Sequence, residues 1–320
     1  MSTDLYPHYP QGKLDPQTET LLRQLQKSSG TPLAALTPQQ ARSEFLETAW
    51  LGTPPDSVRV TRLDIDTPGG TLPLRVYQPE GNAPYPILIF FHGGGFVLGC
   101  LDEFEPFCKF LAAGAACLVV SVGYRLAPEH KHPAAVDDAL TAIQWIAAHA
   151  AELGGDATRL AVAGDSAGGN LAAVTSLLLR DQGNRLLRYQ VLICPWLNLA
   201  DLDTPSYHYF GEGLWLSLKG IQWYRQHYLP TLEQVYSPAV SPALADDLSG
   251  LPPALIITAE YDVLRDEGAA YAQRLRQHGV PVQYSRYPGV LHDFVTLPGL
   301  FDQAYPAIDE ICDALRGAWG

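Results

Sequence analysis

The stretch Leu160-Ala161-Val162-Ala163-Gly164-Asp165-Ser166-Ala167-Gly168-Gly169-Asn170-Leu171 decides the fold. Four apolar residues read as a buried strand. A Gly-x-Ser-x-Gly turn follows. Then Leu171, Val174, Leu177 and Leu178 recur at helical spacing on one side. A serine on a sharp strand-to-helix turn is a nucleophile elbow, with its hydroxyl raised above the end of a sheet. In such a turn the residues two before and two after the serine nearly touch, so both must be tiny. Gly164 and Gly168 meet that need, and Gly169 extends it. The competing reading is a glycine-rich helix N-terminus that packs closely or binds an anion. The setting between an apolar strand and an apolar helix favours the nucleophile.

Upstream, His92-Gly93-Gly94-Gly95 ends the apolar run Ile87 to Phe91. Acyl transfer builds negative charge on a carbonyl oxygen, and backbone N–H groups aimed at it stabilise it by ~3 kcal/mol per donor. Glycines let the backbone approach with no side chain in the way. Gly94 and Gly95 are the expected donors of this oxyanion hole, with Gly93 shaping the turn. Ala167, the residue after the serine, supplies a further N–H at a helix N-terminus. A phosphate-binding loop is a poor reading, since both G-x-G-x-x-G and the Walker lysine are missing. His92 precedes the serine and is expected to hold the loop by hydrogen bonds, not to act as a base.

Downstream, the triad order Ser, acid, His selects the partners. Four histidines follow Ser166: His208, His227, His278 and His292. His208 and His227 fall in an aromatic insertion. His278 sits at a helix end before Gly279. His292 follows the strand Val282 to Tyr287 and the break at Pro288-Gly289, so it is expected on a loop at the catalytic end of the sheet, as the base. The acid belongs after the strand Leu255 to Thr258, where Asp262 is preferred over Glu260. Asp266 and Glu267 are expected to cap and charge the helix that starts there. Ser166 would attack a carbonyl, His292 would take and return its proton, and Asp262 would fix the imidazole tautomer.

Further strand candidates are Leu118 to Val122 and Tyr189 to Ile193. Helical stretches lie near 104–114, 134–151, 167–181, 266–278 and 302–316. Continuous apolar strands joined by helices imply a parallel sheet covered on both faces. Arg59 to Asp66 and Leu72 to Gln78 alternate around Pro68-Gly69-Gly70 as an antiparallel hairpin. Residues 196–232 exceed a simple crossover and are rich in tryptophan and tyrosine. Together with residues 1–51, of which 14–51 look helical in two pieces, they are expected to form a cap. The alternative is that 1–51 only cover a sheet edge.

The composition excludes several classes. The chain has 320 residues and a formal net charge of -13, which argues against a nucleic-acid partner. Met1 to Gly12 lacks the basic start and apolar run of a secretory signal. No stretch approaches the ~18 apolar residues of a membrane helix. The 5 cysteines are odd in number and have no CxxC spacing. Free thiols in a reducing cytoplasm are expected, and neither disulfides nor a metal site.

Several motifs together resemble the hormone-sensitive-lipase-like esterases, bacterial esterase family IV. They are His92-Gly93-Gly94-Gly95-Phe96, Tyr124-Arg125-Leu126-Ala127-Pro128-Glu129, Gly164-Asp165-Ser166-Ala167-Gly168-Gly169 and Asp262-Val263-Leu264-Arg265-Asp266-Glu267, joined by Pro195-Trp196-Leu197 and Ser237-Pro238. The resemblance covers about residues 55–315. It implies an α/β-hydrolase fold, with an eight-stranded, mostly parallel sheet flanked by helices and a helical cap. The core would be 52–195 and 233–320, and the cap 1–51 and 196–232. It implies a carboxylesterase for short- to medium-chain esters, with the same triad and oxyanion donors, no cofactor and a small-molecule ester as partner. It leaves a homo-oligomer open. It also implies that Arg125 and Glu129 form an internal ion pair. Two departures stand out: the family usually has glycine where Asp293 follows His292, and often tyrosine where Cys194 stands. Neither is expected to touch a catalytic atom. The same triad would equally serve an amidase, lactonase or peptidase. Plant hormone receptors on this fold lack the histidine that this chain has.

Overall fold

Residues 13–27, 30–47 and 52–320 are described by the computed structural model, apart from the side chains of 44–47. The expectation for Met1 to Gly12, and the parts of the expected cap at 28–29 and 48–51, fall outside these residues. Eight strands form one sheet: β1 (Arg59–Thr67), β2 (Gly70–Gln78), β3 (Tyr85–Phe91), β4 (Leu118–Val122), β5 (Gly155–Asp165), β6 (Leu187–Ile193), β7 (Ala254–Tyr261) and β8 (Val282–Leu291). Their order is β1-β2-β4-β3-β5-β6-β7-β8. β1 and β2 pair antiparallel, as do β2 and β4. The remaining pairs are parallel. This is the α/β-hydrolase sheet.

The helices explain why the central strands carry no alternation. α3 (Glu105–Ala115) packs on α9 (Ala304–Trp319), while α4 (Ala134–Ala148) packs on α5 (Ala167–Asp181), and α8 (Arg265–Gln277) covers β7 and β8. Every residue of β4 and of β7 is buried, as a strand covered on both faces requires. β1, at the sheet margin, keeps an exposed face. Most strands run longer than expected, β5 and β8 among them. β5 starts at Gly155 instead of Leu160, and β8 runs through Pro288-Gly289 to Leu291. A proline is tolerated there because β8 is an edge strand with no partner needing its N–H. Gly289 takes φ +74°, and its N–H donates to Glu260 Oε2 at 2.8 Å. Glu260, the rival acid, is thus committed to shaping β8.

Before the sheet come α1 (Pro16–Lys27), a short 3-10 turn at Leu33–Ala35 and α2 (Pro38–Glu47); α6 (Pro205–Phe210) and α7 (Leu218–Tyr228) lie in the long insertion. α1 is tied to the chain before His292, with Asp15 N–H donating to Gly289 O at 3.0 Å. The Trp223 indole N–H of α7 donates to Leu36 O at 3.1 Å, next to the 3-10 turn. Arg42 of α2 donates to Val97 O and Ala127 O, each at 2.8 Å, beyond the glycine loop.

Candidate active site

β5 ends at Asp165 and α5 starts at Ala167, which leaves Ser166 alone to turn the chain. It takes φ 54° and ψ −115°, a strained conformation for a residue with a Cβ. Its N–H donates to Ile193 O at 2.8 Å, and its carbonyl accepts from Trp196 N–H at 3.1 Å. The glycines around it are packed against backbone. A Cβ on Gly164 would lie 2.1 Å from the Gly168 carbonyl, and one on Gly168 would lie 1.9 Å from Phe91 O. These contacts hold β5, α5 and the end of β3 together, which sets the serine beside the glycine loop.

That loop leaves β3 at His92. Gly94 and Gly95 adopt φ +106° and +60°, and both face the cavity into which Ser166 opens. Val97 N–H and Leu98 N–H donate to Gly94 O at 3.0 and 2.8 Å, which folds the loop back on itself. A Cβ on Gly95 would be driven into the Tyr224 ring, 2.2 Å away. His92 lies beneath the loop. Its Nδ1–H reaches Gly93 O at 2.7 Å, its ring stacks on Tyr124 at 4.2 Å, and its carbonyl accepts from the Tyr124 hydroxyl. Burial pushes its pKa down to about 4, so the imidazole is neutral and serves as a strut. Ala167 is buried as the first residue of α5, so its N–H belongs to the open end of the helix.

The structure brings the three distant side chains to one point. His292 Nε2 lies 2.9 Å from Ser166 Oγ, and His292 Nδ1 lies 2.7 Å from Asp262 Oδ2. Asp262 follows β7, and its Oδ1 accepts from Leu264 N–H at 2.9 Å, which fixes the carboxylate. Burial is the largest influence on His292 and acts to lower its pKa. The carboxylates of Asp262 and Asp293 outweigh it and hold the imidazolium well above its ordinary range.

Three sequence expectations need correction. Asp293 and Cys194 both touch the imidazole. Asp293 Oδ1 is 3.0 Å from Nε2, and the Cys194 thiol, pushed up to about 12 by burial, lies within 4.8 Å of the imidazole. A residue after His292 on an extended chain would point away from it, but the Asp293 φ of +64° is left-handed and folds the side chain back. Arg125 pairs with Asp138 at 2.8 Å and Glu129 with Arg42 at 2.8 Å, not with each other. The reason is placement: Asp138 is buried on α4 and also takes the Arg125 N–H, while Glu129 points outward to α2. Glu267 does more than charge a helix. It is buried, and Oε1 accepts from the backbone N–H groups of Leu197 and Asn198.

Asp165 and Arg42 carry no signal of a role in the sequence, and Tyr224 stands out only as one aromatic of the insertion. Asp165 is the variable position of the pentapeptide; the other two act through distant contacts that no motif marks. The cavity above Ser166 holds about 440 Å³ and is walled by Trp196, Tyr224 and Ile221, with Leu33 and Leu36 from the N-terminal segment. Among the described residues lining it, Asp293 is the one carboxylate, and none is a lysine or arginine. A larger groove of about 740 Å³ lies by the starts of β6 and β8 and contains none of these groups. Among the described residues, the one His/Cys/carboxylate set close enough to share a cation is Cys194, Asp262 and His292, within 4.8 Å of one another. The imidazole there is already engaged on both nitrogens.

A family model described as alpha/beta hydrolase fold matches residues 88–296. The chain is 42% identical to the carboxylesterase NlhH of Mycobacterium tuberculosis, over 84% of this chain and 86% of that one. It is 38% identical to the ethyl acetate hydrolase of Pseudomonas putida, over 89% and 92%. The solved hyperthermophilic esterase of Pyrobaculum calidifontis superposes with a TM-score of 0.91 at 39% identity, covering 96% and 99%.

Proposed function

Because the chain belongs to the alpha/beta hydrolase family, in the hormone-sensitive-lipase-like branch, we propose that it is a serine carboxylesterase for short- to medium-chain esters with Ser166 as nucleophile. The observation that carries this reading is the unbroken line Ser166 Oγ, His292 Nε2, His292 Nδ1, Asp262 Oδ2, at 2.9 and 2.7 Å. His292 takes the Ser166 proton as Oγ attacks the ester carbonyl, and Gly94, Gly95 and Ala167 N–H groups receive the oxyanion. The imidazolium returns its proton to the leaving alcohol. Water then repeats the cycle on the acyl-enzyme, releasing the acid.

The cavity is small, and its walls are mostly apolar, which suits a neutral ester of modest length. Residues 1–51 and 196–232 are read as the cap, supported by the Trp223 bond to Leu36 and by cavity walls drawn from both segments. All 5 cysteines are free, which supports a reducing compartment, the cytoplasm. No helix among the described residues is long and apolar enough to cross a membrane.

The test is hydrolysis of p-nitrophenyl esters across acyl length, with Ser166→Ala as control. Turnover at C4 or C6 with loss of roughly 10⁶-fold in kcat in the variant is expected. An organophosphate should label Ser166 alone. Higher kcat/KM on a C16 ester would reject the chain-length reading. Binding of esters without turnover would favour a receptor, and faster cleavage of amides or lactones would move the substrate class.

A further inference from the structure

Asp293 occupies the position after His292 where glycine is usual in the family. Its left-handed backbone, φ +64°, turns the side chain back toward the imidazole. Oδ1 comes within 3.0 Å of His292 Nε2, the nitrogen that also faces Ser166 Oγ. Behind Asp293 lies Asp165, 1% exposed and immediately before the nucleophile. The two carboxyl groups are close enough for their charges to interact. Asp165 Oδ1 is buried and meets no N–H or O–H group. Two neighbouring buried carboxyl groups disfavour ionisation of both, so one of them keeps its proton. Asp165 is the more buried of the two, while Asp293 already faces the imidazole, so the proton resides on Asp165.

Resting on the reading of Ser166, His292 and Asp262 as the triad, we propose that Asp293 is a second positioning carboxylate for His292, held in place by a hydrogen bond donated from a protonated Asp165. The imidazole then stands between two carboxylates, one at each nitrogen. Both stabilise the imidazolium that forms when Ser166 attacks the ester, and again when water attacks the acyl-enzyme. The same pairing stabilises the imidazolium of the free enzyme, which cannot accept the Ser166 proton. Asp293 therefore favours turnover above the imidazole's raised titration and suppresses it below.

The groups that face the pair are few. The imidazole meets Asp262, Asp293, Ser166 and the Cys194 thiol. Burial pushes Asp165 well above the usual carboxylate range, and the Asp293 charge adds to it. Toward the cavity, the Tyr224 phenol of α7 is pushed up by its own burial and then by the charges of Asp293 and Glu103. Burial raises Glu103 to about 7, so it titrates near neutrality.

The experiment is the pH dependence of kcat and kcat/KM on p-nitrophenyl butyrate, followed at the isosbestic wavelength. The variants are Asp293→Asn, Asp293→Gly, Asp165→Asn and Glu103→Gln. Asp293→Gly suits the left-handed backbone, so folding is preserved, and thermal unfolding checks it. Both Asp293 variants should move the acidic limb down by about 1–3 pH units, the usual effect of losing a contacting opposite charge. On the plateau kcat should fall about tenfold, the loss of one charge stabilising the imidazolium, with KM little changed. Asp165→Asn offers Asp293 an amide N–H in place of the acid O–H, and should keep the wild-type limb. Glu103→Gln should also keep it. An unmoved limb in the Asp293 variants overturns the proposal. So does Asp165→Asn moving the limb as far as Asp293→Asn, since the proton would then sit on the other carboxyl. Persistent activity in Ser166→Ala would instead overturn the triad reading beneath it.

Discussion

Ser166 holds φ 54° and ψ −115°, a conformation that costs about 1–3 kcal/mol and persists because its surroundings allow no other. The surrounding constraint is the backbone contact of Gly164 with Gly168 and of Gly168 with Phe91. The strain aims Oγ at His292 Nε2 and leaves the serine carbonyl to Trp196 N–H. At Asp262 the chemistry depends on which imidazole nitrogen keeps the proton. Asp262 Oδ2 accepts from Nδ1–H, leaving Nε2 basic toward the serine. Asp262→Asn replaces that acceptor with an amide that can hold the wrong tautomer. We expect kcat to fall on the order of 10⁴-fold with KM and thermal stability little altered. Steady-state kinetics on p-nitrophenyl butyrate decide it, and a loss below tenfold would mean that another group orients the base. Glu260 was the rival for this role. It is spent on the Gly289 N–H, a contact that only the folded β8 reveals.

At the scale of elements, α1 and α2 span the two sides of the site. Asp15, just before α1, is bonded to Gly289, three residues before His292, and α2 reaches Val97 through Arg42, just past the glycine loop. Arg42 also forms a bidentate pair with Glu129, at 2.9 and 2.8 Å. Being partly exposed, that pair contributes little stability on its own. The bonds to Val97 O and Ala127 O fix where α2 rests over the cavity. Arg42→Ala should therefore lower kcat/KM by roughly 10- to 100-fold, as small misplacements of positioning elements do. The melting temperature should hardly move, because the sheet keeps its own core. Parallel kinetics and thermal scans separate the two effects. Unchanged kinetics with a lowered melting temperature would show that α2 only covers the sheet margin. In the sequence this segment was legible as two helical pieces, but the contacts of Arg42 join residues 55 and 85 positions apart, which no local pattern encodes.

Across the whole molecule, buried carboxyl groups set how stability responds to pH. Burial raises Glu267 well above its ordinary value of 4.5, and Asp165 likewise. A carboxyl with a raised folded pKa stabilises fully below the unfolded value, and that contribution fades as pH climbs to the folded one. The wild type should thus lose stability on rising from about pH 4.5. Glu267→Gln keeps an oxygen for Leu197 and Asn198 N–H but cannot ionise, so its unfolding midpoint in urea should decline less over that window. Parallel pH curves for the two proteins would contradict this. The same molecule shows where sequence alone was sufficient. Apolar runs buried on both faces mark β3 to β7, tiny residues around Ser166 mark the elbow, and the triad order singles out His292 and Asp262, because each of these is a local steric or periodic requirement. What tertiary structure alone decided is pairwise: Arg125 with Asp138, Glu129 with Arg42, and Asp293 with Nε2 and Asp165. A charge finds its partner by distance and burial after the chain has closed, and one left-handed φ at Asp293 was enough to reverse the direction that an extended chain implies.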